Sequence, residues 1–187
     1  MRSSILLVAG IAAALSTAPP STATSAEDCS SVTPQRWFGG ACELSDLRIS
    51  LSQRLDGPSK AMISDRCSAT SPELWLPGIW QVGETTLSIV KDGAGYAWKM
   101  NRSSGQVSQA WGEKETAQGA GRVSSISGCE ATLKGAYTAF GGTGARGRNP
   151  IGWQMDYTLD LIAPTVLAGE GIGYGQQPFR IVFTKRK

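Results

Sequence analysis

Ten residues near the C-terminus, from Trp153 to Ile162, constrain the fold more than any other stretch. Apolar side chains occupy every second position, and polar side chains stand between them. The apolar set is Trp153, Met155, Tyr157, Leu159 and Leu161, and the polar set is Gln154, Asp156, Thr158 and Asp160. Successive side chains of a β-strand point to opposite faces, whereas a helix would scatter the apolar set around its circumference. The stretch therefore predicts a strand with one buried face and one face exposed to solvent.

The same period of two recurs through the C-terminal two thirds of the chain. Short alternating or β-branched segments are separated mostly by tight turns, and no helical pattern lies between them. We expect eight or nine strands, at 78–82, 85–91, 96–100, 106–111, 122–126, 129–140, 153–162, 166–174 and 179–185. Consecutive hairpins predict a mainly β fold, an antiparallel meander that closes into a small barrel, with a sandwich as the alternative. Gly169, Gly171 and Gly173 leave one strand face bare, which a coiled barrel strand or a close backbone approach requires.

The N-terminus has the pattern of a secretory signal peptide over residues 1–26. A single arginine precedes an apolar run from Ile5 to Leu15, and small residues lead to Ala26. The apolar run is shorter than the ~20 residues of a membrane-spanning helix. We therefore expect a secreted or periplasmic protein with no transmembrane segment after cleavage.

Residues 27–71 are predicted to form an N-terminal extension, and residues 72–187 the barrel-like domain. Leucines 44, 47, 51 and 55 follow near-helical spacing, but residues 47, 49 and 51 also suit a strand, so periodicity leaves both open. Four cysteines behind a signal peptide predict two disulfides, for which three pairings exist. We favour Cys29–Cys42, which closes a local loop, and Cys67–Cys129, which ties the extension to the sheet.

The residue types exclude several common chemistries. The chain contains no histidine, which excludes histidine-dependent triads and nearly all catalytic zinc sites. Cysteines committed to disulfides would not supply a thiolate nucleophile. The net charge of +3 is spread through the sequence, so no basic patch for nucleic acid is expected. We predict no metal, no cofactor and no enzymatic activity.

A glycine-rich loop at 141–150 contains the spacing GxGxxG at Gly142–Gly147. Dinucleotide binding requires a helix to begin there, but a proline and a strand follow, so a hairpin loop is the better interpretation. Arg146 and Arg148 in this loop are candidates for holding an anionic ligand.

Six tryptophans are numerous for a chain of this length. Three of them lie in predicted strands and are expected in the core, namely Trp80, Trp98 and Trp153. Three others lie in less regular stretches and are candidates for lining a ligand groove, because an indole offers a flat apolar face and an N–H donor. These candidates are Trp37, Trp75 and Trp111.

Three hypotheses of function follow. The leading one is an exported, non-enzymatic binding module that holds a small ligand or a partner protein, with inhibition of a hydrolase as one form of the latter. The second is a glycan-acting enzyme that uses carboxylates, in which Asp156, Asp160 or Glu170 would have to meet another acid in a cleft. The third is a structural component of the cell envelope.

Overall fold

The computed structural model describes residues 28–67, 72–107, 114–141, 150–173 and 177–187. Eight antiparallel strands form a closed barrel in which each strand pairs with its neighbours in the sequence. The strands are β1 (Gly78–Val82), β2 (Thr85–Asp92), β3 (Gly95–Val107), β4 (Lys114–Ser127), β5 (Glu130–Gly141), β6 (Asp156–Ala163), β7 (Val166–Ile172) and β8 (Pro178–Lys185). Pairing of β1 with β8 through Trp80↔Lys185 and Gln81↔Thr184 completes the ring. The predicted barrel is therefore confirmed over the sandwich.

The inward side of each strand supplies a core of large apolar side chains. Met155, Tyr157, Leu159 and Leu161 all point inward and are at most 4% exposed, as the alternation predicted. Trp80 and Trp98 are buried, also as predicted. Apolar burial of this extent is the main favourable term in folding such a barrel.

The prediction for Trp153 was wrong. Its side chain is 40% exposed, because β6 begins only at Asp156. The Trp153 carbonyl accepts a hydrogen bond from the Tyr137 N–H at 3.0 Å, so this residue belongs to the connection that leads into β6.

The strand β4 differs from the expected 122–126, since it begins eight residues earlier. Its first half is poor in apolar side chains, and close packing occupies the space above its glycines: Gly119 lies beneath the Met155 side chain and Gly121 lies against the backbone of β5. A Cβ on Gly119 would collide with the sulfur of Met155, and one on Gly135 in β5 would collide with the Trp98 ring. Residues 106 and 107 of the strand predicted at 106–111 belong to the end of β3. Residues 108–113 lie outside the described part of the chain.

The extension folds as three short helices, α1 (Pro34–Gly39), α2 (Leu44–Arg54) and α3 (Gly57–Arg66). Each begins at a residue that suits a helix N-terminus. Thr33 accepts from the Arg36 N–H, Glu43 and Asp46 form a capping box, and Asp56 accepts from the Ser59 N–H. The alternative of a strand through Leu47 is thereby excluded.

The helices cover the outer face of β6, β7 and β8. Trp37 and Leu47 are fully buried there against Ile162 and Ala168, so the barrel has a second core outside its wall. The disulfides Cys29–Cys42 and Cys67–Cys129 are both present, which confirms the predicted pairing. No helix in the described ranges has the length and hydropathy to cross a membrane.

Candidate functional site

The two ends of the barrel are closed to different degrees. At one end, which we call the closed end, a 3₁₀ turn (Pro72–Leu74) places Trp75 and Leu76 against the interior, where both are at most 1% exposed. The indole N–H of Trp80 donates to the Leu76 carbonyl at 3.0 Å. At the opposite end, the open end, the strands leave a cavity of about 460 Å³. We call it the mouth cavity.

The mouth cavity is mainly apolar with a few polar groups. Its apolar lining comes from Phe38, Val82, Met100, Ala117, Phe140, Met155, Phe179 and Ile181. Its polar lining comes from Thr85, Arg102, Thr116, Tyr137, Tyr157 and Arg180. A cavity of a few hundred cubic ångströms with apolar walls and a few convergent polar groups is typical of small-molecule sites.

Tyr157 is the central ring of the cavity floor. Its ring makes edge-to-face contacts with Trp98, Phe179 and Phe183, with centroid separations of 5.7, 6.2 and 6.2 Å. Burial raises the pKa of the Tyr157 hydroxyl, the neighbouring Tyr137 raises it further, and Arg102 opposes this shift. The hydroxyl therefore stays protonated at neutral pH and is available as a hydrogen-bond donor.

The alternate glycines of β7 make room for these rings. A Cβ on Gly171 would lie 2.6 Å from the Phe179 ring and 2.9 Å from the Tyr157 ring. One on Gly169 would collide with the backbone of Thr158. The bare strand face predicted from these glycines is thus used both for close backbone approach and for placing aromatic rings in the floor.

Arg180 joins the helical extension to the rim of the mouth cavity. Its guanidinium donates to the Gly40 carbonyl at 2.9 Å and to the Trp37 carbonyl at 3.2 Å. It also lies 5.0 Å from the Trp37 ring centre, in a cation–π contact. These bonds fix the end of α1, where Phe38 is half exposed and lines the cavity.

Arg102 is the other arginine of the mouth cavity, and it is placed by the alternation of β3. Tyr96, Trp98 and Met100 point inward and are buried, so Arg102 two residues later faces the same side. Its cross-strand partners are Thr85 and Ala117, both of which line the cavity. Among the described residues, no carbonyl or carboxylate accepts a hydrogen bond from its guanidinium, and no carboxylate forms an ion pair with it.

A second cavity, of about 510 Å³, lies between α2, α3 and the outer side of β5 and β6. Asp160 is fully buried in its wall and forms an ion pair with Arg48 of α2. Burial raises the pKa of Asp160, Arg48 opposes this shift, and the neighbouring Glu130 adds to it. The prediction that the polar side chains of β6 face solvent was wrong at Asp160, because α2 covers this residue.

The three carboxylates of the enzyme hypothesis are engaged separately. Asp156 accepts from the Gly135 N–H at 3.1 Å and from the Gln154 amide at 2.6 Å. Asp160 pairs with Arg48, and the exposed Glu170 stands opposite Thr158 and Arg180 in the sheet. Asp160 has an acid beside it in Glu130, its cross-strand partner.

The other predicted ligand-binding residues lie apart from the mouth cavity or beyond the described ranges. Trp37 is fully buried under Arg180, and Trp75 is buried at the closed end, so neither ring lines the cavity. Trp111, Arg146 and Arg148, together with the GxGxxG spacing, lie outside the described residues. Cys29, Cys42 and Asp46 lie close together, but the two sulfurs are joined in a disulfide.

None of the described lining residues of the mouth cavity was among the predicted ligand-binding residues, and Arg102 and Tyr157 are the two of them that matter most for its chemistry. The signal for Arg102 is the inward series 96, 98 and 100, which continues to 102 with a charged residue where an apolar one would extend the core.

Comparisons with known proteins found no matching family model, no similar curated protein and no similar solved structure.

Proposed function

We propose that the protein is an exported binding module that holds a small, largely apolar molecule in the mouth cavity. The observation that carries this proposal is the cavity itself, a space of about 460 Å³ at one end of a barrel whose other end is closed by Trp75 and Leu76. A core that needed only to be stable would fill this space, since protein interiors are packed about as densely as organic crystals.

The construction of the cavity wall supports a binding role. Gly171 and Gly173 line up beneath Phe179, Tyr157 and Tyr137, and side chains at those glycines would push the rings into the cavity. The extension adds Phe38 to the rim, held there through Arg180. The opening is therefore framed by two parts of the chain that the Cys67–Cys129 disulfide keeps together.

Two further features favour export to a secreted or periplasmic location. The pattern of residues 1–26 is that of a signal peptide. All four cysteines are paired in disulfides, which form and persist in oxidising compartments.

The test fills the cavity by substitution and uses a neutral fluorescent probe, N-phenyl-1-naphthylamine. Thr85→Trp places an indole in the cavity, because Thr85 lines it. Thr86→Trp is the matched control, since the next residue on the same strand points to the other side of the sheet. We expect wild-type protein and Thr86→Trp to bind the probe with similar affinity, and Thr85→Trp to lose binding.

Two results would overturn the proposal. One is wild-type protein that neither binds the probe nor gains melting temperature with decanoate or decan-1-ol. The other is Thr85→Trp, folded by circular dichroism, that binds the probe as tightly as wild type.

A further inference from the structure

We infer that the ligand of the mouth cavity carries one anionic group, a carboxylate or a similar monoanion, which Arg102 binds while the apolar part of the ligand fills the cavity. This inference rests on the proposed function and names the class of ligand. Its basis is the contrast between the polar groups that the cavity offers and those that the protein itself uses.

The charges of the lining have one sign. Of the lining residues in the described part of the chain, two are arginines and none is an acid. A cationic ligand would meet like charge from both arginines, whereas an anionic ligand would meet opposite charge, and Arg102 is solvent-exposed, so its guanidinium can be reached from the opening. Charge complementarity therefore selects an anion.

The two arginines are not equivalent. The guanidinium of Arg180 donates hydrogen bonds to two backbone carbonyls and makes a cation–π contact with the Trp37 ring. That of Arg102 meets no acceptor among the described residues. A guanidinium presents a planar fork of donors that matches a carboxylate bidentately, and charge-assisted bonds of this kind are roughly twice as strong as neutral ones. Arg102 is thus the arginine with capacity for a ligand.

The neighbours of Arg102 add donors without adding negative charge. Thr85 stands beside it on β2 and supplies a hydroxyl. Tyr157 lies close enough for Arg102 to affect its pKa, and its hydroxyl is protonated. An anionic group held at Arg102 would find these donors around it, which is how anion sites in proteins are generally built.

The remaining lining defines the other part of the ligand. Met100, Met155, Phe140 and Phe179 offer flexible thioethers and ring faces, which suit an alkyl chain or a flat ring. The ligand predicted by this arrangement is an amphipathic acid, with its acidic group near the Arg102 side of the opening and its apolar part against the floor.

The experiment compares three probes of equal chain length and different head group: decanoate, decan-1-ol and decylammonium. Each displaces N-phenyl-1-naphthylamine, which is neutral and reports cavity occupancy independently of charge. We expect decanoate to displace it at about a tenfold lower concentration than decan-1-ol, as one charge-assisted interaction implies. Decylammonium should be the weakest of the three.

Variants assign the preference to Arg102. In Arg102→Met the advantage of decanoate over decan-1-ol should disappear while decan-1-ol binds as before, because methionine keeps an apolar stem at that position. Arg102→Lys should retain part of the advantage through its charge. Arg122→Met is the matched control, since Arg122 is exposed and pairs with Asp92 at the closed end.

Failure of the inference differs from failure of the proposed function. A wild-type protein that binds the neutral probe but is indifferent to head group would overturn the inference alone. So would an Arg102→Met variant that keeps the preference for decanoate. Absence of binding by all probes would overturn the proposed function.

Discussion

The closed end and the open end of the barrel use a basic side chain in opposite ways. At the closed end, the ammonium of Lys185 donates to the Trp75 carbonyl at 3.1 Å and lies 5.0 Å from the centre of the Trp80 ring. At the open end, Arg102 meets no acceptor from the described residues. The difference teaches that a charged residue on the inner face of a strand is held in a fixed position where the described chain supplies a partner, as Trp75 and Trp80 do for Lys185. Where the described residues supply none, as for Arg102, the charged residue is the one that we propose binds the ligand.

The largest expected effect is on the packing of the closed end. Trp75→Ala should lower the free energy of unfolding by about 3–5 kcal/mol, because a fully buried indole leaves a cavity. Phe38→Ala at the rim of the open end should cost about 0.5 kcal/mol or less, since that ring is half exposed. Urea unfolding of both variants checks the contrast. Equal losses would show that the two ends contribute alike to stability.

A smaller effect is expected for the two basic residues. Lys185→Met should lower the free energy of unfolding by about 1 kcal/mol, since it removes a charged donor from the Trp75 carbonyl at a partly exposed position. Arg102→Met should stay within about 0.5 kcal/mol of wild type, because no described partner is lost. Equilibrium denaturation under identical conditions compares them. A larger loss for Arg102→Met than for Lys185→Met would contradict the division of roles.

The smallest effect concerns the pH dependence of stability. Burial lowers the pKa of Lys185 from 10.5, and the nearby Arg66 lowers it further. Between that lowered pKa and 10.5 the unfolded chain binds more protons than the folded protein, so the contribution of Lys185 to stability rises with pH. The difference in free energy of unfolding between wild type and Lys185→Met should therefore increase as the pH rises toward 10.5.

A matched variant separates this effect from the change in net charge. Lys187→Met removes a positive charge from the exposed end of the same terminus. If the curves for Lys185→Met and Lys187→Met differ from wild type in the same way at every pH, the buried environment of Lys185 has no thermodynamic consequence.

Much of the barrel was predictable because the evidence for it is local. Alternation along β3, β6 and β8 identified these strands and the side of each that is buried, and β-branched residues between turn formers identified β2. The two disulfides were also predictable, since one closes a short loop and the other links the extension to the sheet.

The remainder depends on contacts between residues far apart in the chain. The first half of β4 lacks an apolar pattern of its own, and the space at Gly119 is filled by Met155, which lies far away in the sequence. The sequence pattern predicts that Asp160 faces solvent, yet α2 buries it and supplies Arg48 as its ion-pair partner. Neither fact can be read from the residues that flank these positions.

The sequence by itself determined most of the strands of the barrel and which side of them is apolar, because a period of two is a property of neighbouring residues. Only the tertiary structure decided where the interior remains open. Among the described residues, Trp75 and Leu76 close one end of the barrel, whereas side chains of several strands and Phe38 of α1 line the mouth cavity at the other end without filling it. The tertiary structure also decided that Lys185 has a protein partner and that Arg102 has none among the described residues, because residues far apart in the sequence become partners only when the fold brings them together.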